Sequence, residues 1–455
     1  MEMPRFSLVV WTRETNEVFF RDFMEYMVAQ TYDNWELYII DEGQGSRIGT
    51  IASEFFPEDH RVHYRQLRTN RGKAYAYNIG FHFALVNGAK RSQSGEEAGY
   101  ILVSDQHDRL SPNALALMAE YAKTSPDVIY ADQDELVGVD RMSPHFKPEF
   151  NKELLIRRNY IGEFIAISHS AARRIGEFQE KLTYATVYDY LLRAMEREMS
   201  FVRVPALIYH QRVLPVENRK AYQQLQEKMK REHMMVAEAS LRRRDVLATL
   251  ETGSDRSYWK VNYYGEDAYA HPRDYMLLRS QGVRPLTRHN VEKMYGLLRQ
   301  KDVAVVGARF IKSGFIIDNC GFIYDEEGVT YPAFYNQKLF RPTYEQMAQI
   351  PRDVSMVDAA YCMIDAKVYR KLGGFDPKLS GRDVMLDFCL RVRKAGLRVV
   401  VNTEVIARNN AKSIDSSQES RELLQQRWGE VLSLGDPMYN PNMGTGLENY
   451  GFNEF

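Results

Sequence analysis

Cysteine is scarce in this chain. Three occur in 455 residues, Cys320, Cys362 and Cys389, widely spaced inside apolar runs. An odd number in that pattern excludes a disulfide frame and a zinc cluster, and it reads as buried free thiols in a reducing compartment. Charge of one sign is lacking too: 60 basic side chains face 61 acidic ones, so no bulk positive field is available to hold a nucleic acid. No apolar run approaches the roughly 18–20 residues that a membrane-spanning helix needs. Nor does the start, MEMPRFSLVVW, show a charged-then-apolar leader with a cleavage site. These absences point to a cytoplasmic protein, in contact at most peripherally with the inner face of a membrane. The length exceeds one ordinary core, so two domains are expected.

What is present is an alternation. FSLVVW, WELYIID, RVHYRQL, GYILVSD and DVIYAD read as strands, separated by segments with helical apolar spacing such as EVFFRDFMEYMVAQ and GKAYAYNIGFHFALV. In SPNALALMAEYAK, Ser111 is expected as an N-cap with Pro112 at the first helical position. Strands that are nearly continuous apolar runs imply a mainly parallel α/β sheet with helices on both faces. The polar segment AKRSQSGEEAG, 89–99, reads as a mobile surface loop. Beyond Val213 a charge-laced helix, ENRKAYQQLQEKMKREHMMVAEASLRRRD, reads as a connector. A second run of mixed structure follows, ending in the Asn/Gly/Pro-rich tail GDPMYNPNMGTGLENYGFNEF, expected to wrap a surface irregularly.

Ligands of such sheets bind beyond the carboxyl ends of the strands. The polar groups expected there are Trp11-Thr12-Arg13 after the first strand, Asp41-Glu42 after the second, and Asp105-Gln106-His107-Asp108 after the fourth.

Several longer motifs carry a family resemblance: VAQTYDNWELYIID, NRGKAYAYNIG, LVSDQHDRLSP, DVIYADQDEL, HFKPEFNKELLIRRNYIG and VPALIYHQR. On these the N-terminal half resembles family 2 glycosyltransferases of the GT-A fold (Rossmann-like), of the kind that build O-antigen, rhamnan and other surface polysaccharides. DVAVVGARFI, DVSMVDAAYCMIDAKVYRKLGGFD and LDFCLRVRKAGLRVV resemble the second unit of two-unit members. The resemblance implies a GT-A domain at 1–213, a helical connector at 214–265, and a truncated second GT-A-like domain at 266–455.

It also implies roles. Thr12, Asp41, Asn70, Arg71 and Asn78 would frame the nucleotide sugar, and Asp105 and Asp108 would hold it through an acidic signature. His107 and His210 would ligate a divalent metal, Mn or Mg. Lys147 either holds a phosphate or crosses a loop. The acceptor would be a glycan or a lipid-linked sugar, and other glycosyltransferases of the same route would be partners. The chemistry needs a cationic clamp for the departing nucleoside diphosphate and a carboxylate to take the acceptor's proton.

Two departures stand out. His107 occupies the usual place of a metal-binding aspartate, and a hard, oxygen-preferring site is weakened by that change. Val187 occupies the place of the general base and cannot accept a proton. Asp189 is the surviving carboxylate of that stretch and the candidate catalytic residue, with Asp132 and Asp134 as other substitutes. In the second unit Ser280-Gln281-Gly282, Met385 and Arg408 replace the catalytic positions, which implies a structural or acceptor-binding remnant. Two readings therefore stand: an inverting glycosyltransferase, and a pseudo-glycosyltransferase that keeps the fold and serves as a binding or assembly partner.

Overall fold

FSLVVW becomes a strand because its β-branched and aromatic side chains can be covered on both faces of a sheet. It forms β1 (Arg5–Thr12), in which Phe6 to Val10 are all buried. The computed structural model describes residues 3–45, 47–91, 99–216, 218–253, 258–263, 273–409 and 415–450. Two units are distinguished, Met1–Phe150 with Asn159–Ser240, and Asn151–Arg158 with Leu241–Phe455.

In the first unit β1 is followed by β2 (Trp35–Asp41), β3 (Val62–Gln66), β4 (Gly99–Asp105), β5 (Arg109–Leu110), β6 (Val128–Val137), β7 (Asp140–His145), β8 (Ile165–Ser168) and β9 (Phe201–Arg212). Their order is β3-β2-β1-β4-β8-β6-β9-β5, with β7 paired on β6. The first four are mutually parallel. β8 is antiparallel to both β4 and β6, which returns β6 and β9 to the direction of β4. The fold is thus mixed α/β and rich in parallel pairs, and β1, β2, β4, β6 and β9 all end at one edge.

Helices close the faces. Asn16 caps the helix Glu17–Val28 by accepting from the Val18 and Phe19 amides, and Phe20, Phe23, Met24 and Met27 form its buried stripe. The helix Lys73–Arg91 packs on β1 so closely that a Cβ on Gly80 would meet Val9 Cγ1 at 2.2 Å. The charged connector sequence forms the helix Arg219–Arg243.

The second unit contains β10 (Thr249–Thr252), β11 (Trp259–Asn262), β12 (Tyr275–Arg279), β13 (Arg284–Pro285), β14 (Val303–Lys312), β15 (Ile316–Asn319), β16 (Phe322–Tyr324), β17 (Thr330–Pro332), β18 (Arg352–Asp353), β19 (Tyr361–Asp365) and β20 (Arg398–Arg408). Its main sheet runs β12-β19-β14-β20-β13. That order, and the sense of every pair, repeats β4-β8-β6-β9-β5 of the first unit. Both copies shift register at the same place, between Ala131 and Asp132 and between Ala308 and Arg309.

Two local expectations change and a third, for the tail, holds. Ser111 does not cap a helix: the helix starts at Ala114, and the Ser111 hydroxyl turns to His210 Nε2 at 2.9 Å instead. The fifth strand extends to Val137 and turns back as β7 through Gly138. The C-terminal tail is packed as far as Tyr450, whose ring stacks on Phe334 at 3.7 Å. Of the loop at 89–99, residues 92–98 lie outside the described residues.

Candidate functional site

The carboxyl ends of β1 and β2 are joined by side chains. Thr12 donates to Asp41 Oδ1 at 2.9 Å, the Gly43 amide donates to the same oxygen at 2.8 Å, and the Tyr64 hydroxyl donates to Oδ2 at 2.7 Å. Asp41 is buried, and both of its oxygens are engaged by the fold. Next to it the buried Glu42 accepts from Trp11 Nε1 at 3.0 Å and from the amides of Arg71 and Gly72 at 2.8 and 3.0 Å. Gly72 has a φ of 94°, a conformation that side-chain-bearing residues rarely adopt. Glu42 therefore shapes the loop that carries Asn70 and Arg71. Asn70 is exposed there, while Arg71 stacks on Tyr75 at 4.0 Å and pairs with Glu180. Asn78 faces elsewhere: its amide donates to the Phe178 carbonyl and accepts from the Phe178 amide, at 3.0 and 2.7 Å.

β4 ends in the second group. Asp105 Oδ1 accepts from the backbone amide and from Nδ1 of His107, at 2.9 and 3.0 Å. Asp105 Oδ2 and His107 Nε2 have no hydrogen-bond partner among the described residues. Burial works against the Asp105 carboxylate, but His107 and the charge of Lys73 outweigh it and hold its pKa below the usual range. Lys73, at the start of its helix, pairs with Glu163. Burial opposes its charge as well, yet Glu163, Tyr77 and Asp105 keep the ammonium above its ordinary pKa. Asp108 is buried, accepting from Tyr209 and from the Arg212 amide. Burial, then the nearby charge of Asp105, pushes its carboxyl up to about 8. Asp105, Lys73 and Glu163 thus form a half-open cluster at the strand ends, with Glu163 40% exposed.

The remaining predicted residues lie in the fabric of the fold. His210 is buried, donating from Nδ1 to Asp134 Oδ1 at 2.7 Å, with Nε2 at 2.9 Å from the Ser111 hydroxyl. Asp134 also holds Arg141 at 2.7 Å. Lys147 crosses a loop, donating to Gln133 Oε1 and the Ile161 carbonyl at 2.9 and 2.6 Å. Asp132 accepts from the Lys147 amide. Val187 and Asp189 are both buried in the helix Thr186–Glu196, where Asp189 accepts from Arg193 Nε at 2.8 Å. Ahead of that helix Glu232 Oε1 accepts from three successive amides, Thr183, Tyr184 and Ala185.

Lys73, Glu163 and Glu232 were missed by sequence reasoning. The signal for Lys73 was its position beside NRG; Glu163, in the loop NYIGEF, offered none.

A divalent ion finds few protein donors. Among the described residues no group of three or more His, Cys, Asp and Glu side chains is arranged to hold a metal. The nearest fit is His107 Nε2 together with the Asp105 carboxylate, since a histidine oriented through Nδ1 by a carboxylate presents Nε2 outward.

Residues 7–180 match the model described as Glycosyl transferase family 2. The chain carries a family 2 glycosyltransferase domain. All of the β1, β2 and β4 groups described above fall inside this domain, as do Lys73 and Glu163. Over 97% of its length the chain is 24% identical to "Uncharacterized protein y4gI" of Sinorhizobium fredii, of which it covers 58%. Over 46% of its length it is 26% identical to "O-antigen biosynthesis protein RfbC" of Myxococcus xanthus, covering 16% of that protein. The chain thus spans less than two thirds of these relatives. Among solved structures, S. aureus TarS 1-349 in complex with UDP-GlcNAc superposes with a TM-score of 0.38 at 14% identity, over 50% of this chain and 66% of that one. Among the described residues no helix is long and apolar enough to cross a membrane.

Proposed function

We propose that the protein is an inverting glycosyltransferase of surface-polysaccharide assembly, working in the cytoplasm or at the inner membrane face. Its donor is a nucleotide sugar and its acceptor a glycan or lipid-linked sugar. The observation that carries this reading is the cluster of Asp105, Lys73 and Glu163 at the carboxyl end of β4, inside the family 2 domain. The O-antigen role of one relative's name supports the pathway class.

In this reading Thr12 and Asp41 form the floor for the nucleoside, Asn70 and Arg71 flank it, and Asp105 faces the ribose and diphosphate. Lys73 is the cation that meets the charge of the departing diphosphate. A divalent ion, when bound, would be held by His107 and Asp105 and would supply further positive charge there, the rest of its shell coming from phosphate and water. Asp189 is buried against Arg193, whereas Glu163 is partly exposed, shares only Oε2 with Lys73 and has no hydrogen-bond partner for Oε1 among the described residues, so the base is assigned to Glu163. Glu163 takes the proton as the acceptor oxygen forms its bond to the anomeric carbon. The bond to the diphosphate oxygen breaks with its electron pair, and single displacement inverts the centre. The second unit is a truncated repeat of the first, serving the acceptor.

The second reading, a pseudo-glycosyltransferase, is favoured by Val187 and by the burial of Asp189. Calorimetric titration with UDP, dTDP and GDP, with and without manganese, separates the two. Saturable binding of one nucleotide, lost in Asp105→Ala, is expected. A folded protein that binds none of them sinks the enzyme.

A further inference from the structure

The second unit holds a cavity of about 510 Å³ at the carboxyl ends of β14 and β20. That is within the roughly 300–1,000 Å³ of small-ligand sites, and at the edge where such sheets bind ligands. Four cationic side chains line it, Lys260, Lys293, Arg309 and Arg341, against one carboxylate, Glu404. Glu404 is engaged on one side only: Oε2 lies 3.2 Å from Lys293 Nζ, while Oε1 lies 3.7 Å from Arg157 Nη1 and has no hydrogen-bond partner among the described residues.

Arg309 is the unusual member. It follows the register shift of β14 and is 7% exposed. Nη1 donates to the Ala348 carbonyl at 2.7 Å, but Nε is buried with no hydrogen-bond partner among the described residues, and no carboxylate there pairs with it. Burial accordingly draws its pKa below that of an ordinary arginine. A guanidinium buried without an ion pair costs stability; the charge of Glu404 offsets only part of the burial, so an anion in the cavity would supply what the fold does not. Across the rim Phe340 is 77% exposed and leans on the half-exposed Phe315 at 5.2 Å between ring centroids. A flat apolar rim beside a cationic pocket suits a ring with an apolar face and an anionic substituent.

We propose that this cavity binds an anionic saccharide, its phosphate or carboxylate on Arg309, Lys260 and Arg341 and its ring on Phe340. That it is part of the acceptor rests on the glycosyltransferase reading; the anion site itself rests on the second unit alone. The counterpart of Arg309 in the first unit is Asp132, just past the equivalent register shift. The two units therefore carry opposite charges at equivalent places in their two sheets.

The test is titration of the full chain with inorganic phosphate, glucose 1-phosphate, glucuronate and glucose. Saturable binding of at least one of the two anionic sugars, tighter than glucose by tenfold or more, is expected; whichever binds names the anion. Arg309→Met is expected to weaken it at least tenfold without lowering the melting temperature, since the variant removes an incompletely compensated charge. The exposed Arg341→Met guards against a folding defect and should weaken binding several-fold. UDP binding should be untouched by both. A parent chain that binds none of UDP, dTDP and GDP but keeps sugar-anion binding would sink the enzyme and leave this site standing. Binding no tighter than glucose, or unchanged in both variants, or lost instead in Lys73→Met, overturns the inference.

Discussion

Asp189 and Arg193, one helical turn apart, close a buried ion pair, and Arg193 goes on to the carbonyls of Ile175 and Glu177 at 3.0 and 2.9 Å. Asp387 and Arg391 repeat this in the second unit, with Arg391 reaching Leu372 and Gly374 at 2.6 and 2.8 Å. A device present in both units is a fold device. It ties the helix to the loop before it. Asp189→Asn leaves Arg193 without its charge partner, at a cost of about 3–5 kcal/mol. The expected result by chemical denaturation is that loss, with nucleotide affinity retained. A variant as stable as the parent but inactive in transfer would return Asp189 to the role of base.

Lys73→Met should weaken binding of a nucleoside diphosphate at least tenfold, because a cation whose charge reaches Asp105 is removed. Nucleoside binding without phosphates should change little. Equal losses for UDP and uridine would place Lys73 away from the diphosphate.

Glu163→Gln separates binding from chemistry. Gln keeps a hydrogen-bond acceptor for Lys73 but cannot take a proton. With transfer as the readout, kcat should fall by about 100-fold or more, while KM for the donor stays within a few-fold. A loss confined to KM would make Glu163 a positioning residue for Lys73.

Asp108 gives a pH signature. Its folded pKa, about 8, is raised by burial and by Asp105 above the unfolded value of about 3.9. A raised acid contributes stability that is complete below the unfolded pKa and is lost as pH rises through the folded one. The difference in melting temperature between the parent and Asp108→Asn should therefore shift against the parent from about pH 4 to pH 8 and level off above. A difference independent of pH would mean that Asp108 is ionised throughout.

Much of this site was legible before the fold. The apolar runs ending in Thr12, Asp41 and Asp105 could only be buried strands, and parallel strands place their polar ends together. Pairings between distant segments were not legible. Lys73 and Glu163 are 90 residues apart in the chain, and neither carries a local pattern that points to the other. Ser111 before Pro112 has the pattern of a cap, yet its hydroxyl bonds His210 across the sheet, which no local propensity encodes. Asn78 matches a nucleotide-framing motif, but both ends of its amide are taken by Phe178, an arrangement visible only once the loop after Gly176 is placed.

Arg398 stands at the centre of a buried ionic core in the second unit. Arg398 Nη1 donates to Asp353 Oδ1 at 2.9 Å, and Nη2 donates to Asp302 Oδ1 at 2.8 Å and to Gln300 Oε1 at 2.9 Å. Glu153, fully buried, lies 3.7 Å away. Desolvation works against this guanidinium, but Asp353 and Asp302 outweigh it and hold its pKa above the ordinary value. Arg398→Met strands these carboxylates, with an expected loss of about 3–5 kcal/mol. Asp353→Asn alone removes one acceptor charge from a network that keeps two others, so it should cost less. The double variant then decides whether the network is cooperative. Once Arg398 is gone the Asp353 charge is a liability, so adding Asp353→Asn should recover part of the loss, leaving the double variant more stable than Arg398→Met. Strictly additive losses would mean that the two groups do not share their energy despite their contact.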